Sequence, residues 1–410
     1  MPSSISHSEA HKSEVRGLRE GALPAGLRQT AANRPGQAQP VPTRDIPSRP
    51  WVKMGAAVLV AVTLLTGVWE WNARANIGLH AGDIDDSPQA WAEQRRLADA
   101  APVAIIGDSR ILFDTDLDRF QQLTGVRPIQ TAIVGTNGRA LLESYANDAN
   151  FKSLLIVGLA DASYFRPQGV GVGAPYLKNF VKNDKPSQLT GLWIDRWLQK
   201  YLAFLDADYR LSNLVPRWDH GWRKDVDSPY EDVWKISETF DNRQYFMWDQ
   251  IESDPYLRAH ARHAWIGGHG SFNGPPIPAT VARNVVARSA EAVRRIRARG
   301  GDVIFIRPPS APELRSIEDK RLPRAKGWDL LVAGTHAYGI HADDLPQAQN
   351  LVVPEWSHLS RKCATVFTDA YVRRLTQLTP RLKLRPDAPP PLSRADCVPQ
   401  QVASRDVKRA

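Results

Sequence analysis

From residue 100 to residue 160 the chain alternates short apolar runs with segments whose apolar residues recur at helical spacing. These patterns predict strands at 103–107, 128–134 and 153–159, and helices at 114–123 and 138–145. Because the strands are apolar at consecutive positions, they predict a parallel sheet that is covered on both faces. This is the first half of a doubly wound α/β domain.

The same alternation returns in the last third of the chain. The pattern there predicts a helix at 280–300, a strand at 302–306, a helical region at 311–335, a short strand at 351–353 and a closing helix at 360–378. We therefore expect one α/β domain over 101–380, followed by a C-terminal tail at 381–410. The stretch 166–278 breaks the alternation and is interpreted as a helical insertion.

The insertion contains seven tryptophans, which either stack on a sugar ligand or pack in a core. Trp193, Trp197 and Tyr201 recur every four residues, as do Trp218 and Trp222. This spacing favours packing on one buried helix face. The remaining three tryptophans are Trp234, Trp248 and Trp265.

A different pattern precedes the α/β domain. Residues 54–69 carry no charge, and three tryptophans bracket them as interfacial aromatics do: Trp51, Trp69 and Trp71. At roughly 20 residues the segment 51–72 is long enough to cross a hydrocarbon core, so it predicts a transmembrane helix. A polar linker and a short helix are expected at 73–100. Residues 1–50, rich in Pro, Ser, Gln and Arg, predict a disordered arm.

Basic residues flank the uncharged run 54–69 unequally. Arg74 is the only one between this run and residue 88, whereas Arg34, Arg44, Arg49 and Lys53 precede it. The positive-inside rule then predicts a single-pass protein of the bacterial inner membrane, with residues 1–50 in the cytoplasm and the α/β domain in the periplasm. The alternative is a cleaved signal peptide, for which Ala73-Arg74-Ala75 offers a site, but the preceding arm is far longer than an ordinary n-region.

Composition excludes some partners. Lys and Arg outnumber Asp and Glu by 53 to 44, a formal charge of +9, but the basic residues are spread along the chain without a DNA-binding pattern, so no nucleic-acid partner is expected. Cys363 and Cys397 form either one disulfide between the last helix and the tail or two free thiols. His260, His263 and His269 match no compact zinc motif, so we expect no metal and no other cofactor.

The first candidate for chemistry stands at the end of the first predicted strand, where the sequence reads Gly107-Asp108-Ser109-Arg110. A serine at this junction projects into the crevice at the carboxyl ends of parallel strands, the usual ligand position of such sheets. The alternative is that Asp-Ser is a plain helix cap.

The second candidate is Pro354-Glu355-Trp356-Ser357-His358-Leu359, just before the closing helix. Glu355 and His358 are three residues apart in a predicted turn. The carboxylate can therefore accept the Nδ1–H of the imidazole and leave Nε2 free for a serine. Ser109 as nucleophile, His358 as base and Glu355 as orienting acid form a candidate triad.

Together these residues resemble the SGNH, or GDSL-like, hydrolase family, whose serine follows the first strand in a G-D-S motif and whose base lies in a C-terminal D-x-x-H motif. The resemblance covers about 100–165 and 280–378. It implies a flavodoxin-like three-layer α/β/α sandwich and attack of Ser109 on an ester carbonyl. Two positions depart from the family: Glu355 replaces the aspartate, and Gly158-Leu159-Ala160-Asp161 lacks the oxyanion asparagine of the third motif.

Other donors would then hold the oxyanion. The resemblance points to the backbone N–H groups of Ser109 and Gly135 and to the side chain of Asn137, in a G-T-N-G segment that is otherwise a plain turn before a helix. Arg110, Asp161 and Arg307 are candidate substrate contacts, since guanidinium groups suit an acidic sugar or a phosphate. The alternatives are surface ion pairs for the arginines and a helix cap for Asp161.

We therefore expect an exported, membrane-anchored serine esterase or O-acyltransferase that acts on acyl esters, acetyl in particular, of an envelope carbohydrate. Hydrolysis and transfer differ only in whether water or a sugar hydroxyl resolves the acyl-enzyme. A non-catalytic protein of the same fold, which binds a polysaccharide or an assembly partner, is the second hypothesis, and the two departures favour it. A nucleotide or flavin binder is disfavoured because no Gly-rich phosphate loop follows the first strand.

Overall fold

The computed structural model describes residues 49–166, 173–181, 185–218, 235–266 and 272–398. The predictions for the arm at 1–48 and for the end of the tail at 399–410 lie outside these residues, as do Trp222, Trp234, His269 and the side chain of Trp218. The chain divides into two units, Met1–Leu64 and Leu65–Ala410, and the boundary falls inside the first described helix.

That helix, α1 (Trp51–Asn72), coincides with the predicted membrane segment. One π-helical turn, Ala73–Ile77, continues it and ends at Gly78, whose φ of 76° is easily adopted by glycine. None of the side chains of α1 is buried. By its length and apolar composition this helix can span a membrane.

The described residues contain seven strands: β1 (Val103–Gly107), β2 (Ile129–Gln130), β3 (Leu154–Gly158), β4 (Ser237–Phe240), β5 (Gln244–Met247), β6 (Asp302–Arg307) and β7 (Tyr338–His341). Five of them form a parallel sheet in the order β2-β1-β3-β6-β7. The other two, β4 and β5, form an antiparallel pair inside the insertion. The predicted parallel sheet is thus confirmed.

Helices cover both faces of this sheet. Ile105, Ile156 and Ile304 point into one apolar cluster, whereas their neighbours Ala104 and Leu155 point into another. The first cluster is completed by α3 (Ser109–Phe113), α4 (Leu117–Thr124) and α15 (Arg361–Leu378). The second cluster is completed by α2 (Pro88–Leu97), α5 (Arg139–Asn147), α12 (Ala279–Ala298) and α14 (Trp328–Thr335). Residues of alternate parity face opposite sides of a strand, which explains why the strands are apolar throughout.

Two of the remaining helices come after strands of the parallel sheet: α6 (Asp161–Tyr164) after β3 and α13 (Pro312–Arg321) after β6. The other five belong to the insertion: α7 (Ala174–Val181), α8 (Pro186–Gln199), α9 (Leu211–Trp218), α10 (Asp249–Ser253) and α11 (Pro255–Ile266). The insertion is therefore mainly helical, as expected, but it also contains the β4–β5 pair.

One predicted strand is absent, and one observed strand was not predicted. Residues 351–353 form no strand. Leu351 packs into the core. The N–H of Val352 donates to Cys363 Sγ and its carbonyl accepts the N–H of Ser360, so neither group pairs with the sheet. The last strand is β7, whose Tyr338 is half exposed at the sheet edge and which therefore lacks a continuous apolar run.

The expectation that Trp193, Trp197 and Tyr201 pack on one buried helix face is also wrong, since their exposed fractions are 69%, 54% and 62%. They share a face of α8 and its C-terminal end, but that face points to the outside. Trp248, in contrast, is fully buried.

The two cysteines form a disulfide. Cys363, in the first turn of α15, bonds Cys397 with an S–S length of 2.07 Å across a sequence separation of 34. Of the two alternatives from the sequence, the bridge between the last helix and the tail is confirmed.

Candidate active site

The turn that carries Ser109 depends on two glycines. Gly107 ends β1 with a φ of 145°, and a Cβ on it would lie 2.1 Å from the carbonyl oxygen of Gly158 on the neighbouring strand. Asp108 then caps α3, accepting the N–H of Arg110 at 3.1 Å. The cap is therefore Asp108, so the Ser109 hydroxyl is left for another partner at the carboxyl end of β1.

The turn that carries His358 is built around the carboxylate of Glu355. Its Oε1 accepts the backbone N–H of Ser357 at 3.2 Å and that of His358, and it lies 3.0 Å from His358 Nδ1. Trp356 adopts a φ of 78°, which is rare for a bulky residue and costs on the order of 1–3 kcal/mol. Such backbone strain is often found at functional sites.

These two turns meet. His358 Nε2 lies 2.9 Å from Ser109 Oγ, so Glu355, His358 and Ser109 form one hydrogen-bonded chain. Glu355 and His358 are buried, whereas Ser109 is half-buried. With Nδ1–H donated to the carboxylate, Nε2 is the acceptor for the serine hydroxyl, which is the tautomer that a general base requires.

Two aromatic rings enclose the imidazole. Phe113, at the end of α3, stacks on His358 with centroids 4.2 Å apart, and Trp265 meets it edge-on at 5.7 Å. The indole Nε1–H of Trp265 also donates to Glu355 Oε2. Trp265 lies on α11, and Arg262 of the same helix donates to the Pro354 carbonyl at 2.8 Å. The insertion therefore holds the carboxylate of the candidate triad.

A second carboxyl group lies behind the histidine turn. Asp114 Oδ1 accepts the N–H of Leu359 at 2.8 Å, and the residue is fully buried. Burial raises the pKa of Asp114 well above its ordinary value of 3.8, against the opposing effect of the Leu359 N–H. The sequence analysis did not single out Asp114, because its contact with the histidine turn spans 245 residues.

A cluster of four charged residues borders the triad. Glu318 on α13 pairs with Arg110 at 2.5 Å and with Arg307 at 2.6 Å, and Arg307 also lies 3.3 Å from Asp161. We call these four residues the ion-pair cluster. All of them are at most 5% exposed at their side chains.

Burial and charge together shift the pKa values of the two carboxyl groups of this cluster in opposite directions. Burial would raise the pKa of Glu318, but attraction by Arg110 and Arg307 outweighs burial, and the pKa lies below its ordinary 4.5. Burial raises the pKa of Asp161, which Arg307 only partly opposes.

The ion-pair alternative for the two arginines is thus confirmed, but the pairs lie in the interior and not at the surface. Asp161 is not the cap of α6, since that position is held by Ala160 without a side-chain bond. Contact of Arg110, Asp161 and Arg307 with a substrate stays a prediction. Glu318, the centre of the cluster, was missed by the sequence analysis because it stands among surface-like charges in its helix.

Arg110 connects the cluster with the triad. Its Nε donates to Ser357 Oγ at 3.3 Å, so the residue after Ser109 bonds the residue before His358. Its guanidinium also lies over the ring of Phe272 at 5.3 Å. The two turns are therefore joined twice, once through the triad and once through Arg110.

The segment of the predicted oxyanion donors lies against the serine turn. Ile133 N–H donates to the Gly107 carbonyl at 3.2 Å, and a Cβ on Gly138 would lie 3.1 Å from Gly107 Cα. Gly135 is exposed with a φ of 72°, and Asn137 Oδ1 accepts the N–H of Arg139 at 3.2 Å. The segment is also the turn before α5, as the alternative held, and its role as an oxyanion hole with Ser109 N–H stays a prediction.

The loop after β3 contributes no side-chain donor at Ala160, whose backbone N–H donates to Asp108 Oδ2 at 2.7 Å. His260 and His263 both lie on α11, and among the described residues no group of three or more His, Cys, Asp or Glu side chains is placed to hold a metal ion.

No protein-family model matches this chain, and no curated protein matches it.

Proposed function

We propose that the protein is a serine esterase or O-acyltransferase of the SGNH type. The observation that carries the proposal is the chain of hydrogen bonds from Glu355 Oε1 to His358 Nδ1 at 3.0 Å and from His358 Nε2 to Ser109 Oγ at 2.9 Å. A serine, an imidazole and a carboxylate in this order are the arrangement that activates a hydroxyl nucleophile.

The proposed reaction has two halves. Ser109 Oγ attacks the ester carbonyl carbon while His358 Nε2 takes its proton, and the carbonyl π electrons move to the oxygen to give a tetrahedral oxyanion. When the intermediate collapses, the C–O bond to the alcohol breaks and His358 returns the proton to the leaving alcohol oxygen. Water or a sugar hydroxyl then attacks the acyl-serine by the same steps in reverse.

The oxyanion is held in this proposal by the backbone N–H groups of Ser109 and Gly135, with Asn137 as a further donor. Loss of a single donor of this kind typically costs about 10²–10³ in rate. Because Ala160 supplies no side-chain donor to the crevice, the Gly135–Gly138 segment becomes the main source of oxyanion stabilisation.

The sheet supports the same proposal. If its five strands are counted in chain order, they follow the arrangement 2-1-3-4-5, which is the flavodoxin-like doubly wound order. Ser109 follows β1 and Asp161 follows β3, the two strands between which the order reverses. We therefore propose a flavodoxin-like three-layer sandwich with the active site at its switch point.

The place of action follows from α1 and its flanking charges. We propose a single-pass inner-membrane protein with a cytoplasmic N-terminus and a periplasmic catalytic domain. The substrate proposed for that compartment is an acyl ester, acetyl in particular, of an envelope carbohydrate.

The second candidate is a non-catalytic carbohydrate- or partner-binding protein of the same fold. The absence of an asparagine at Ala160 favours it. The intact Ser109–His358–Glu355 chain favours catalysis, because a protein that only binds has no need for an oriented imidazole at a serine hydroxyl.

The experiment treats the purified full-length chain with a fluorophosphonate probe and with p-nitrophenyl acetate, and compares wild type with Ser109→Ala. We expect covalent labelling and ester turnover in wild type, and loss of both in the variant. Ser153→Ala is the matched control, since Ser153 precedes β3 at the end of the strand opposite the crevice. Labelling that persists without Ser109, or its absence in wild type, would leave the non-catalytic candidate.

A further inference from the structure

Helix α8 exposes an apolar face. The five large apolar side chains on this face or at its end are 40–69% exposed: Leu189, Trp193, Ile194, Trp197 and Tyr201. On the opposite face Leu192 and Gln199 are buried. Residues at spacings of four and eight share a helix face, so the exposed side chains form one continuous strip. We call it the aromatic strip.

The next helix also exposes apolar side chains near its start. Leu211 and Val215, one turn apart on α9, are 56% and 52% exposed. Exposed apolar residues are common singly, but a contiguous patch usually marks an interaction site. Leaving such a patch in water is unfavourable by roughly 25 cal/mol per Å² of apolar surface, so an occupant is expected.

The end of α1 is attached where the strip ends. Arg74 Nη2 donates to the Tyr201 carbonyl at 3.0 Å, and the Glu70 carboxylate accepts the N–H groups of Ala203 at 3.0 Å and Phe204 at 2.9 Å. These contacts fasten the residues that follow the apolar run directly to the residues that follow α8.

A second pair of contacts fastens the same end of α1 to the start of α9. Asn72 Nδ2 donates to the Tyr209 hydroxyl at 2.7 Å, and the rings of Trp69 and Tyr209 lie 5.4 Å apart. The aromatic strip and the apolar start of α9 therefore adjoin the point where α1 would leave a bilayer.

The charged residues beside the strip are already paired. Arg196 binds Glu93, Lys200 binds Asp241, and Arg210 binds Asp195. None of these three basic side chains is therefore free to bind an anionic ligand, and the strip offers mainly apolar and aromatic groups. Trp and Tyr concentrate at membrane–water interfaces, where the ring is buried and the polar edge stays hydrated.

We propose that α8 and the start of α9 lie in the interface of the membrane that α1 crosses, with Trp193, Trp197 and Tyr201 at headgroup level. This inference rests on the proposed membrane span, and it is independent of the esterase proposal. The strip from Leu189 to Tyr201 extends about 18 Å along the surface at 1.5 Å per residue. The domain is then held at the bilayer by a second, monotopic contact.

A carbohydrate is the competing occupant, because sugar rings also stack on tryptophan. The aliphatic side chains argue for lipid: Leu189 and Ile194 are exposed beside the rings on α8, Leu211 and Val215 are exposed on α9, and none of the four has a role in stacking on a sugar. Aromatic and aliphatic groups together on one face are typical of interfacial helices.

The test places an environment-sensitive fluorophore on Trp193→Cys in the full-length chain, reconstituted in vesicles of phosphatidylethanolamine and phosphatidylglycerol. Both native cysteines are in the disulfide, so the new thiol is the one that reacts. Asn284→Cys, an exposed position on α12, is the matched control, and Val58→Cys reports the span. Nitroxide lipids, labelled at the headgroup or in mid-chain, serve as quenchers.

We expect a blue-shifted label at position 193 that headgroup nitroxides quench several-fold more than they quench the label at position 284. The label at position 58 should be quenched most by mid-chain nitroxides. If positions 193 and 284 behave alike while position 58 is quenched, the interfacial contact is wrong and the span stands. If position 58 is not quenched either, the span fails and the inference with it.

Two further readouts keep the result interpretable. Trp197→Cys repeats the measurement one helical turn away, and we expect the same quenching pattern there. Fluorophosphonate labelling of Ser109 in the same vesicles reports separately on the active site. A label at position 193 that responds to a soluble envelope polysaccharide and not to nitroxide lipids would overturn the proposal in favour of a carbohydrate surface.

Discussion

Two buried clusters lie side by side at the carboxyl edge of the sheet, and each is centred on a glutamate. Glu355 in the triad accepts the Trp265 indole N–H and two backbone N–H groups, and it lies against the His358 imidazole. Glu318 in the ion-pair cluster is bound by two guanidinium groups, of Arg110 and Arg307. The two carboxylates share burial and differ in the charge around them.

This difference in charge decides which of the two clusters can transfer a proton. An arginine does not release a proton in a protein, so the two arginines balance Glu318 and Asp161 permanently. An imidazole can take a proton and give it back, and a nearby carboxylate stabilises the cation that forms in between. The ion-pair cluster holds the turns in place, whereas the triad can move a proton to and from Ser109.

The largest expected effect is on the proton carrier. His358→Ala should lower kcat/KM for ester substrates by about 10²–10⁴, the usual contribution of a general base. Glu355→Gln should cost less, because the amide keeps the size of the side chain and still leaves a carbonyl to accept the Nδ1–H. Steady-state kinetics of both variants with p-nitrophenyl acetate measures the ratio. A larger loss for Glu355→Gln than for His358→Ala would contradict the assignment of His358 as the base.

Local sequence pattern was enough to find the two ends of the triad. Ser109 follows a continuous apolar strand, and Glu355 lies three residues before His358, so both signals are contained in short segments. Trp265 and Glu318 carry no such signal, because their bonds to Glu355 and Arg110 span 90 and 208 residues. Only the folded chain brings them to the site.

The elements of the fold likewise divide into those that local sequence pattern predicts and those that depend on tertiary contacts. Strands buried on both faces are apolar throughout and were predicted, whereas the edge strand β7 has a half-exposed Tyr338 and was not. Periodicity also indicates that Trp193 and Trp197 share a helix face, but it does not say which face meets the core. That choice is made by tertiary contacts, and here α8 turns Leu192 inward and the tryptophans outward.

The second prediction concerns the stability of the ion-pair cluster. Glu318→Gln removes the negative charge that Arg110 and Arg307 share, and breaking a buried ion pair in this way typically costs about 3–5 kcal/mol. Denaturant unfolding of the full chain measures the loss. The comparison variant is Glu355→Gln, which leaves no buried cation behind and should therefore destabilise less.

The pH dependence sharpens this prediction. Since the pKa of Glu318 is lowered in the folded protein, its stabilising contribution is fully present above the ordinary value of 4.5 and is lost as the pH falls through the folded value. The stability gap between wild type and Glu318→Gln should be constant near neutral pH and shrink in acid below that point. A gap that stays the same in acid would show that Glu318 does not act through its charge.

The smallest expected effect tests whether the insertion belongs to the triad. Trp265→Phe keeps an aromatic ring beside His358 but removes the N–H that Glu355 Oε2 accepts. A hydrogen bond to a charged group is worth about 1.5–3 kcal/mol, so we expect kcat to fall by about ten- to a hundredfold, with KM little changed. Trp265 acts here as a positioning residue, since it bonds the carboxylate and not the serine.

Trp265→Ala separates the two contributions, because it removes the ring as well as the N–H. If the hydrogen bond positions Glu355, both variants lose kcat, and Trp265→Phe restores only the part that depends on ring packing. Wild-type kcat in Trp265→Phe, together with a loss in Trp265→Ala, would mean that the backbone N–H groups of Ser357 and His358 suffice to orient Glu355. In that case the insertion would shield the imidazole from water without positioning Glu355.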